Sequence, residues 1–358
     1  MRDCIVVTGG AGFIGSALSS LICSEDVPVI AIDNMLEQVH PTGKKSEFLD
    51  ERVILYKNDV CDRGAWLNLL REFYPRRVVH LAAETGTAQS LTESTRHASV
   101  NVVGTTVMLD AFAAAEVVPD RIVLASSRAV YGEGHWRDVI TNEVFYPAPR
   151  SNEVLSKSQW SPLSPAGNEA KALPHEASVV FPKPTSIYGA TKLAQEQILS
   201  SWCGAFRVPL SILRLQNVYG EGQSPYNSYT GIINYFHRVA RSGASIPVYE
   251  DGLIGRDFVH IQDVVQALVS VLSDDTAGDH LFDVGTGRLT TILDAASMIA
   301  EYHNAPKPEV CGRFRDGDIR SAVADVKKLH EHTGSSSHVS FEEGMKRVGD
   351  WLMASGHI

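Results

Sequence analysis

Tyr188 and Lys192 are the residues of this sequence whose types and spacing could do chemistry together. They stand in the run Tyr188-Gly189-Ala190-Thr191-Lys192, and residues four apart share one face of a helix. A tyrosine phenol ordinarily has a pKa of about 10, which is too high for a base at neutral pH. A lysine ammonium one turn away stabilises the phenolate, so the pair could act as a general base. A pair on a surface helix is the alternative, because this spacing is common by chance.

Two serines, Ser126 and Ser127, follow an apolar run at residues 122–125 that is typical of a buried strand. Side chains just beyond the carboxyl end of a central strand lie where α/β sheets bind their ligands. Ser127 could therefore hydrogen-bond the substrate oxygen that Tyr188 deprotonates. A serine turn without a catalytic role is the alternative.

A glycine-rich turn comes near the start of the chain, between an apolar strand at residues 5–8 and a helix. Its glycines are Gly9, Gly10, Gly12 and Gly15, which satisfy both G-x-G-x-x-G and G-x-x-G-x-x-G. Glycines allow a tight turn and a close approach of backbone to a pyrophosphate, and the helix N-terminus offers free N–H groups. The turn therefore predicts a dinucleotide site. It also strengthens the case for the tyrosine–lysine pair, because a positive nicotinamide would stabilise the phenolate further.

Asp33 ends the second apolar strand, about 20 residues after the glycine turn, where such a site holds an acidic residue. A carboxylate there can bind the hydroxyls of the adenosine ribose and would repel a 2′-phosphate, so we expect NAD rather than NADP. Asp59 and Val60 follow the third strand, where adenine would be recognised. A plain strand-end aspartate explains that pair equally well.

The elements that must position these residues alternate between strand and helix in the first half of the chain. Buried strands are predicted at residues 5–8, 29–33, 53–56, 78–82 and 122–126, and helices at 13–24, 63–73 and 97–115. Alternation of this kind is typical of an α/β fold, here a Rossmann-like doubly wound parallel sheet.

The second half of the chain resumes this pattern after a long irregular segment. Residues 134–184 are rich in Pro, Ser, Glu and Asn and show no sustained period, which predicts a long surface loop over or beside the substrate pocket. Later helices are predicted at residues 190–202, 229–242, 263–272 and 291–302, and strands at 210–214, 257–260 and 281–284. We expect an NAD-binding domain at 1–207 and a smaller α/β substrate lobe at 208–358, with some segments returning to the first domain.

The composition disfavours binding to nucleic acid or membranes and gives no pattern typical of a metal site. The 358 residues carry a formal net charge of −10, which is unfavourable for non-specific binding to nucleic acid or to an anionic membrane. The cysteines, Cys4, Cys23, Cys61, Cys203 and Cys311, are scattered without a C-x-x-C pair, so we expect neither a metal site nor a disulfide framework. No apolar run approaches the roughly 20 residues that span a bilayer, and a cytoplasmic location is expected.

Motifs along nearly the whole chain resemble, in type and order, those of the extended short-chain dehydrogenase/reductase family. Besides the glycine turn, Asp33, the serines and the tyrosine–lysine pair, they are Asp59-Val60, His80-Leu81-Ala82-Ala83, Asn101, Tyr131-Gly132, Arg214-x-x-Asn217-x-Tyr219-Gly220 and Arg256-Asp257-Phe258-Val259-His260. The resemblance implies a bound NAD, a nucleoside-diphosphate sugar as substrate, and a homodimer built on paired helices.

The resemblance also implies roles for particular residues. The expected catalytic residues are Ser127, Tyr188 and Lys192. Those expected to bind the cofactor are Gly9, Gly12, Phe13, Ile14, Gly15, Asp33, Asn34, Asp59, Val60, Leu81, Ala82, Ala83, Asn101, Ser126, Tyr188 and Lys192. Those expected to bind the substrate are Thr87, Ser127, Arg128, Tyr188, Asn217, Arg256 and Arg315, with Gln89 and Tyr226 as further candidates at the sugar. For Arg315 a solvated charge is an equal alternative.

The residues after Ser127 bear on the reaction. Sugar 4,6-dehydratases of the family carry an acidic Asp-Glu pair there, and UDP-glucuronate decarboxylases keep the glutamate, whereas this chain has Arg128 and Ala129. Alanine cannot be an acid or a base, and an arginine that stays protonated is a poor one. A 4-epimerase needs no further acid, because hydride leaves C4 and returns to the other face of a transient 4-keto sugar. We therefore expect an isomerase, a 4-epimerase of nucleotide-linked hexoses.

Among the 4-epimerases the chain is similar to the branch that acts on dTDP-L-rhamnose. The similarity lies in residues 84–90, 127–134, 214–220, 223–224 and 229–231 and in the length of the insertion after Tyr131. Insertions of that branch often carry paired cysteines, and residues 133–183 have none here. UDP-glucose or UDP-glucuronate is the alternative substrate. A net oxidoreductase or dehydratase, and a non-catalytic NAD-binding protein, are further alternatives, and the intact catalytic residues disfavour the last.

Overall fold

In the computed structural model, which describes residues 1–225, 231–274, 276, 278–315, 317–334 and 339–358, a seven-stranded parallel sheet runs through the molecule. The elements up to its fifth strand are β1 (Arg2–Thr8), α1 (Phe13–Ile22), β2 (Val29–Asp33), β3 (Ile54–Lys57), α2 (Arg63–Glu72), β4 (Phe73–His80), α3 (Thr87–Thr92), α4 (Ser94–Ala98), α5 (Gly104–Ala114) and β5 (Arg121–Ser127). A π-helical turn, Ser99–Val103, joins α4 to α5.

The chain then passes through the insertion and returns to the sheet. The insertion contains β6 (Trp136–Asp138), β7 (Val144–Phe145), α6 (Asn152–Ser156) and β8 (Ala170–Ala172). After it come α7 (Ile187–Phe206), β9 (Leu210–Leu215), β10 (Asn217–Tyr219), α8 (Ile232–Arg241), β11 (Pro247–Val248), β12 (Gly255–Arg256), β13 (Phe258–His260), α9 (Ile261–Leu272), β14 (His280–Val284), β15 (Thr290–Thr291), α10 (Ile292–Tyr302), β16 (Glu309–Val310), β17 (Ser321–Ala322), α11 (Lys327–Thr333) and α12 (Phe341–Ala354).

The order of strands across the large sheet is β3-β2-β1-β4-β5-β9-β14, and every neighbouring pair is parallel. All residues of β5 and β9 are buried, as expected for strands covered by helices on both faces. One apolar cluster unites α1 and α9 with the first face, and a second unites α2, α5 and α7 with the other. This is the doubly wound Rossmann-like sheet that the sequence predicts, and the predicted fold class is confirmed.

The predicted elements differ from the structure mainly at their ends. Strand β2 has the predicted bounds, but β4 begins at Phe73, five residues earlier than predicted, and the helix before it ends at Glu72. Helix α7 begins at Ile187 because Ser186 caps it, its Oγ accepting the Gly189 N–H at 3.0 Å. Propensity and period rarely fix such boundaries, since capping and packing decide them.

The insertion is more ordered than the predicted loop. Strands β7, β6 and β8 form a small antiparallel sheet in that order, and α6 follows β7 along the chain. Each of these strands has only two or three residues, too few for an alternating pattern to be visible in the sequence.

The second lobe is built on short strands and helices after β9. Strands β10 and β13 are parallel neighbours, and β12 lies between β15 and β17. Helices α8, α10 and α12 share an apolar cluster. Strands β9 and β14 belong to the large sheet and α9 packs on α1, so parts of the chain after residue 207 lie in the first domain. The domain boundary at residue 207 stays a prediction. The helix predicted at 229–242 is α8, and residues 229 and 230 lie outside the described residues. Among the described residues, no helix is both long and apolar enough to cross a membrane.

Candidate active site

A cavity of about 1030 Å³ lies at the carboxyl ends of the sheet strands and extends into the second lobe. Most of the predicted site residues line it, namely Gly9, Gly12, Phe13, Ile14, Gly15, Asp33, Asn34, Asp59, Val60, Leu81, Ala82, Ala83, Thr87, Ser127, Arg128, Tyr188, Asn217, Arg256 and Arg315. Asn101, Ser126 and Lys192 do not belong to the lining. The carboxyl ends of parallel strands are where open α/β sheets bind ligands.

The glycine turn brings backbone close to this cavity. Gly9 has a φ of +66°, and a Cβ there would lie 2.9 Å from the backbone N of Ala82. A Cβ on Gly15 would lie 2.6 Å from the Cα of Gly10. The N-cap of α1 is Gly12, which has no side chain to occupy the first N–H groups of the helix. Free N–H groups and the positive end of a helix dipole fit a pyrophosphate.

The carboxylate of Asp33 stands beside this turn. It accepts the N–H of Ala11 at 3.0 Å and the N–H of Met35 at 2.8 Å, which fixes its orientation. The Nε2 atom of His40 lies 3.9 Å from the carboxylate and is buried without a hydrogen-bond partner among the described residues. An oriented carboxylate and an orphaned imidazole nitrogen on the cavity wall fit the hydroxyls of an adenosine ribose.

Asn34 and Asp59 form the adjoining part of the wall. The Asn34 amide donates to Asp59 at 3.1 Å, and Asp59 also accepts the N–H of Cys61 at 2.8 Å. Burial alone would raise the pKa of Asp59, but the hydrogen bonds from Cys61 and Asn34 outweigh it and lower the pKa. The carboxylate is therefore charged and oriented, in the position at which the sequence predicts adenine recognition.

The structure brings Tyr188 and Ser127 together on the cavity wall. Tyr188 lies in the first turn of α7, and Ser127 ends β5 with its Oγ accepting the Ala129 N–H at 3.2 Å. Burial raises the pKa of the Tyr188 phenol, whereas the Ser127 hydroxyl and the charge of Arg128 oppose that rise. The phenol thus needs further positive charge before it can lose its proton near neutral pH.

Lys192 lies one turn further along α7 and behind the wall. Its ammonium is buried and donates to the carbonyl oxygen of Ala125 at 2.9 Å. Burial lowers the pKa of Lys192 to about 7, although the charge of Glu196 raises it. A lysine in this state carries a proton that responds to nearby charge close to neutral pH.

Two predicted cofactor residues point away from the cavity. The Ser126 hydroxyl donates to Glu196 at 2.5 Å, and Glu196 in turn holds the guanidinium of Arg214 through two bonds of 2.7 and 3.0 Å. Successive residues of a strand face opposite sides of the sheet, so Ser126 and Ser127 cannot both face the ligand. Ser126 therefore supports the wall from behind.

Asn101 is the other such residue, and it lies in the π-helical turn. Its amide accepts the Glu84 N–H at 2.8 Å, donates to the Glu84 carbonyl at 3.0 Å and donates to Thr191 at 2.9 Å. Glu84 itself lines the cavity. Asn101 thus shapes the wall by fixing the backbone after β4, a role that spacing alone does not reveal.

The far part of the cavity gathers guanidinium groups. Arg128 donates through its Nε to the side-chain Oδ1 of Asn217 at 2.8 Å, and buried Arg256 lies 3.7 Å from the carboxylate of Asp318. Burial and the charge of Arg256 lower the pKa of Arg128 to about 9. Arg315 lies with its guanidinium carbon 5.0 Å from the centre of the Tyr249 ring. Buried Arg256 and half-buried Arg128 repel each other, and this repulsion favours the arrival of an anion such as a diphosphate.

Sequence reasoning missed several residues of the wall. Among them are His40, Gln216, Tyr249 and Asp318. Gln216 stands inside the Arg214-to-Gly220 motif, and its place there was the available signal. Nothing in a single sequence distinguishes the other three from packing residues. Of the two further sugar candidates, Gln89 is buried and its Nε2 donates to the Oε1 of Gln38 at 3.1 Å. The other candidate, Tyr226, lies outside the described residues.

These features define a class of protein. A Rossmann-like sheet carries a dinucleotide turn at one end of the cavity and an arginine-lined anion site at the other. A tyrosine, a serine and a buried lysine lie between them. This is the arrangement of a dinucleotide-dependent enzyme that acts on an alcohol carbon of an anionic substrate.

Comparison with known proteins agrees with that class. Residues 6–160 match the family model described as GDP-mannose 4,6 dehydratase, and residues 160–285 match that of the NAD dependent epimerase/dehydratase family. The chain is 47% identical over 348 residues to the dTDP-L-rhamnose 4-epimerase of Burkholderia thailandensis, covering 97% of this chain and 94% of the relative.

Solved structures place the fold in the same group. UDP-glucose 4-epimerase of Thermotoga maritima, solved with UDP-glucose, has a TM-score of 0.78 and 27% identity, covering 99% of both chains. UDP-glucose 4-epimerase of Thermus thermophilus, solved with NAD, has a TM-score of 0.75 and 26% identity, covering 99% of this chain and 100% of that one. The chain belongs to the NAD-dependent epimerase/dehydratase family. It is an NAD-dependent 4-epimerase, an isomerase, so the predicted family, cofactor and reaction class are confirmed.

Proposed function

We propose that the substrate is dTDP-L-rhamnose and that the chain inverts its C4 to give dTDP-6-deoxy-L-talose. The observation that supports this choice is the 47% identity to a dTDP-L-rhamnose 4-epimerase along 97% of the chain. The alanine at position 129 agrees with an epimerase, because it leaves that position without an acid for an elimination.

In this proposal Tyr188 is the general base and Ser127 orients the reacting oxygen. The phenolate takes the proton of the C4 hydroxyl while Ser127 hydrogen-bonds the same oxygen. The nicotinamide of NAD, when bound, supplies the hydride acceptor and the positive charge near the phenol. Once the 4-keto sugar has presented its other face, C4 would recover the hydride from the reduced cofactor and its oxygen would recover the proton from Tyr188, so the reaction is redox-neutral. Burial raises the pKa of Tyr188, so the phenolate needs a positive charge nearby. In this proposal the buried ammonium of Lys192 supplies that charge.

The anion site holds the diphosphate in the same proposal. Arg128, Arg256 and Arg315 supply the charge, and Asn217 orients Arg128 through the bond of 2.8 Å. Thr87, which lines the cavity, contacts the sugar in this proposal. The residues that bind NAD at the other end are those of the glycine turn together with Asp33, Asn34, Asp59, Val60, Leu81, Ala82 and Ala83. Behind the wall, Asn101, Ser126 and Lys192 support it.

The insertion belongs to this site through a buried ionic network. Arg150 donates to Glu133 at 3.1 Å, to Glu250 at 2.8 Å and to the carbonyl oxygen of Asp318 at 2.7 Å. Asp318 lines the cavity and pairs with Arg256. We propose that residues 134–184 brace the diphosphate end of the cavity, which refines the predicted place of this segment beside the substrate pocket.

We also propose a homodimer and a cytoplasmic location. Leu91 of α3 and Val103 of the π-helical turn are exposed apolar side chains on the helical layer that covers one face of the sheet, and they support a helix-to-helix contact. The cysteines are free thiols, which fits a reducing compartment. Sedimentation of the purified protein tests the dimer.

Tyr188→Phe tests the proposal most directly, because only the phenolic oxygen is lost. We expect this variant to keep its melting temperature and its NAD but to lose turnover by about a hundred- to ten-thousandfold, in line with the loss of a catalytic base. The assay follows C4 inversion by NMR across a panel of dTDP- and UDP-sugars without added cofactor. Turnover of UDP-glucose or UDP-glucuronate in preference to dTDP-L-rhamnose would contradict the proposed substrate. Net formation of NADH would contradict the proposed redox-neutral reaction.

A further inference from the structure

Gln216 is a buried side chain whose polar atoms have nothing to bind in the described protein. It follows the last residue of β9, only 5% of it is exposed, and it lines the cavity. Both its Oε1 and its Nε2 lack a hydrogen-bond partner among the described residues. Its backbone is held in place, since its N–H donates to the Val284 carbonyl oxygen at 2.9 Å. The sheet thus holds the backbone of Gln216, and its side chain belongs to the cavity wall with both carboxamide atoms buried and unpaired among the described residues.

An unpartnered carboxamide in such a place is costly to the folded state. Buried polar groups are nearly always hydrogen-bonded, so an exception on a cavity wall calls for an explanation, and a polar group of a bound ligand supplies one. A leucine at position 216 would fill similar space without that cost. The position therefore gains from glutamine only when a polar ligand group occupies the cavity.

The neighbours of Gln216 locate it between the two ends of the substrate. Leu215, the residue before it, is in register with Ser127 of the neighbouring strand. Asn217, the residue after it, accepts the hydrogen bond from Arg128. Gln216 thus lies between the residue paired with Ser127, whose hydroxyl serves the reacting carbon, and the residue that binds Arg128 of the proposed diphosphate site. In a sugar nucleotide, the segment between these two points is the hexose ring.

We propose that Gln216 binds the ring hydroxyls of the hexose and selects among sugars. This inference rests on the proposed function and adds a residue to it. A carboxamide has a donor and an acceptor, as a hydroxyl group has, whereas a diphosphate calls for donors alone. An epimerase binds two sugars that differ in the direction of one hydroxyl. A group that can both donate and accept makes a hydrogen bond to either.

The test compares Gln216→Leu with a matched control, Gln197→Leu, in which an exposed glutamine of α7 receives the same substitution. Calorimetry measures the affinity of the NAD-loaded protein for dTDP-L-rhamnose and for dTDP alone. We expect Gln216→Leu to weaken dTDP-L-rhamnose by about ten- to a hundredfold and to change dTDP by less than twofold. The control should change neither. The melting temperature of the sugar-free variant should equal or exceed that of the wild type.

The outcomes separate this inference from the proposed function. An equal loss of affinity for both ligands, or none for either, overturns the sugar contact. A lower melting temperature together with weaker binding of both ligands assigns Gln216 a structural role and also overturns it. A wild type that binds the sugar nucleotide but does not invert C4 refutes the proposed function, while the ratio of affinities still decides the inference. A wild type that binds no nucleotide sugar of the panel refutes both.

Discussion

Gly15→Ala is the substitution for which the structure gives the sharpest expectation. A Cβ on Gly15 would lie 2.6 Å from both the Cα and the carbonyl oxygen of Gly10, where ordinary contacts begin at 3.4 Å. The atoms met are backbone, so they cannot rotate away as a side chain would. The start of α1 and the glycine turn therefore have to separate by about 0.8 Å, which moves the N–H groups that face the cavity.

The cost of such overpacking is about 1–3 kcal/mol. Because 1.4 kcal/mol corresponds to a factor of ten, we expect NAD affinity to fall by about five- to a hundredfold when the strain is relieved by displacing the donors. When the turn holds its shape instead, the same strain appears as a lower melting temperature. Calorimetric titration of NAD and thermal unfolding together measure both routes.

Gly204→Ala is the matched control. Gly204 is an exposed residue of α7, and a Cβ there would meet nothing within 4 Å. Alanine in a helix interior is more stable than glycine by about 0.5–1 kcal/mol, so this variant should unfold at a slightly higher temperature with unchanged NAD affinity. A Gly15→Ala protein that binds NAD within twofold of the wild type and unfolds at the same temperature would refute the packing argument.

Three further predictions concern single groups of the site. Asp33→Ser should weaken the binding of NAD and narrow its advantage over NADP, because the variant lacks the carboxylate that we propose binds the ribose hydroxyls and repels a 2′-phosphate. Paired fluorescence titrations measure this, and an unchanged ratio counts against it. Lys192→Met should stabilise the protein most below pH 7, by at most about 5 kcal/mol for a folded-state pKa of about 7 against an ordinary value of 10.5. As the pH rises from 7 toward 10.5, the free energy of unfolding of the wild type increases relative to that of the variant, because the unfolded wild type binds more protons than the folded protein in this range. Denaturant unfolding at several pH values measures this, and a difference that does not change with pH would contradict it. Arg150→Met should raise KM for the sugar nucleotide, with NAD affinity kept, since Arg150 braces the segment of Asp318. Equal losses of both affinities would contradict that role.

Local motifs could be predicted from the sequence because their chemistry depends on neighbours along the chain. The apolar pattern at residues 29–33 has the same bounds as strand β2. The glycine turn and Asp33 lie together on the cavity wall, as expected. The predicted pair of Tyr188 and Lys192 does begin a helix. Each of these features is complete within one or two elements, so spacing is sufficient to find it.

The direction of a side chain at the end of a strand could not be predicted in the same way. Ser126 and Ser127 are adjacent and identical in type, and only the position of Glu196 on α7 shows which of them turns from the cavity. The network of Arg150, Glu133 and Glu250 joins residues up to 117 positions apart in the sequence, as the numbering shows. No period or spacing records contacts of that kind.

The sequence by itself determined the doubly wound sheet, the dinucleotide turn and the tyrosine–lysine pair, because apolar period, glycine positions and helix spacing are local consequences of chain geometry. Only the tertiary structure decided that Asn101 and Ser126 support the wall from behind, that Arg150 ties the insertion to Asp318 on the cavity wall, and that the carboxamide of Gln216 has no partner among the described residues. Those outcomes depend on which surfaces meet when helices and strands pack. That meeting is set by the whole fold, since each contact joins residues that the chain itself keeps far apart.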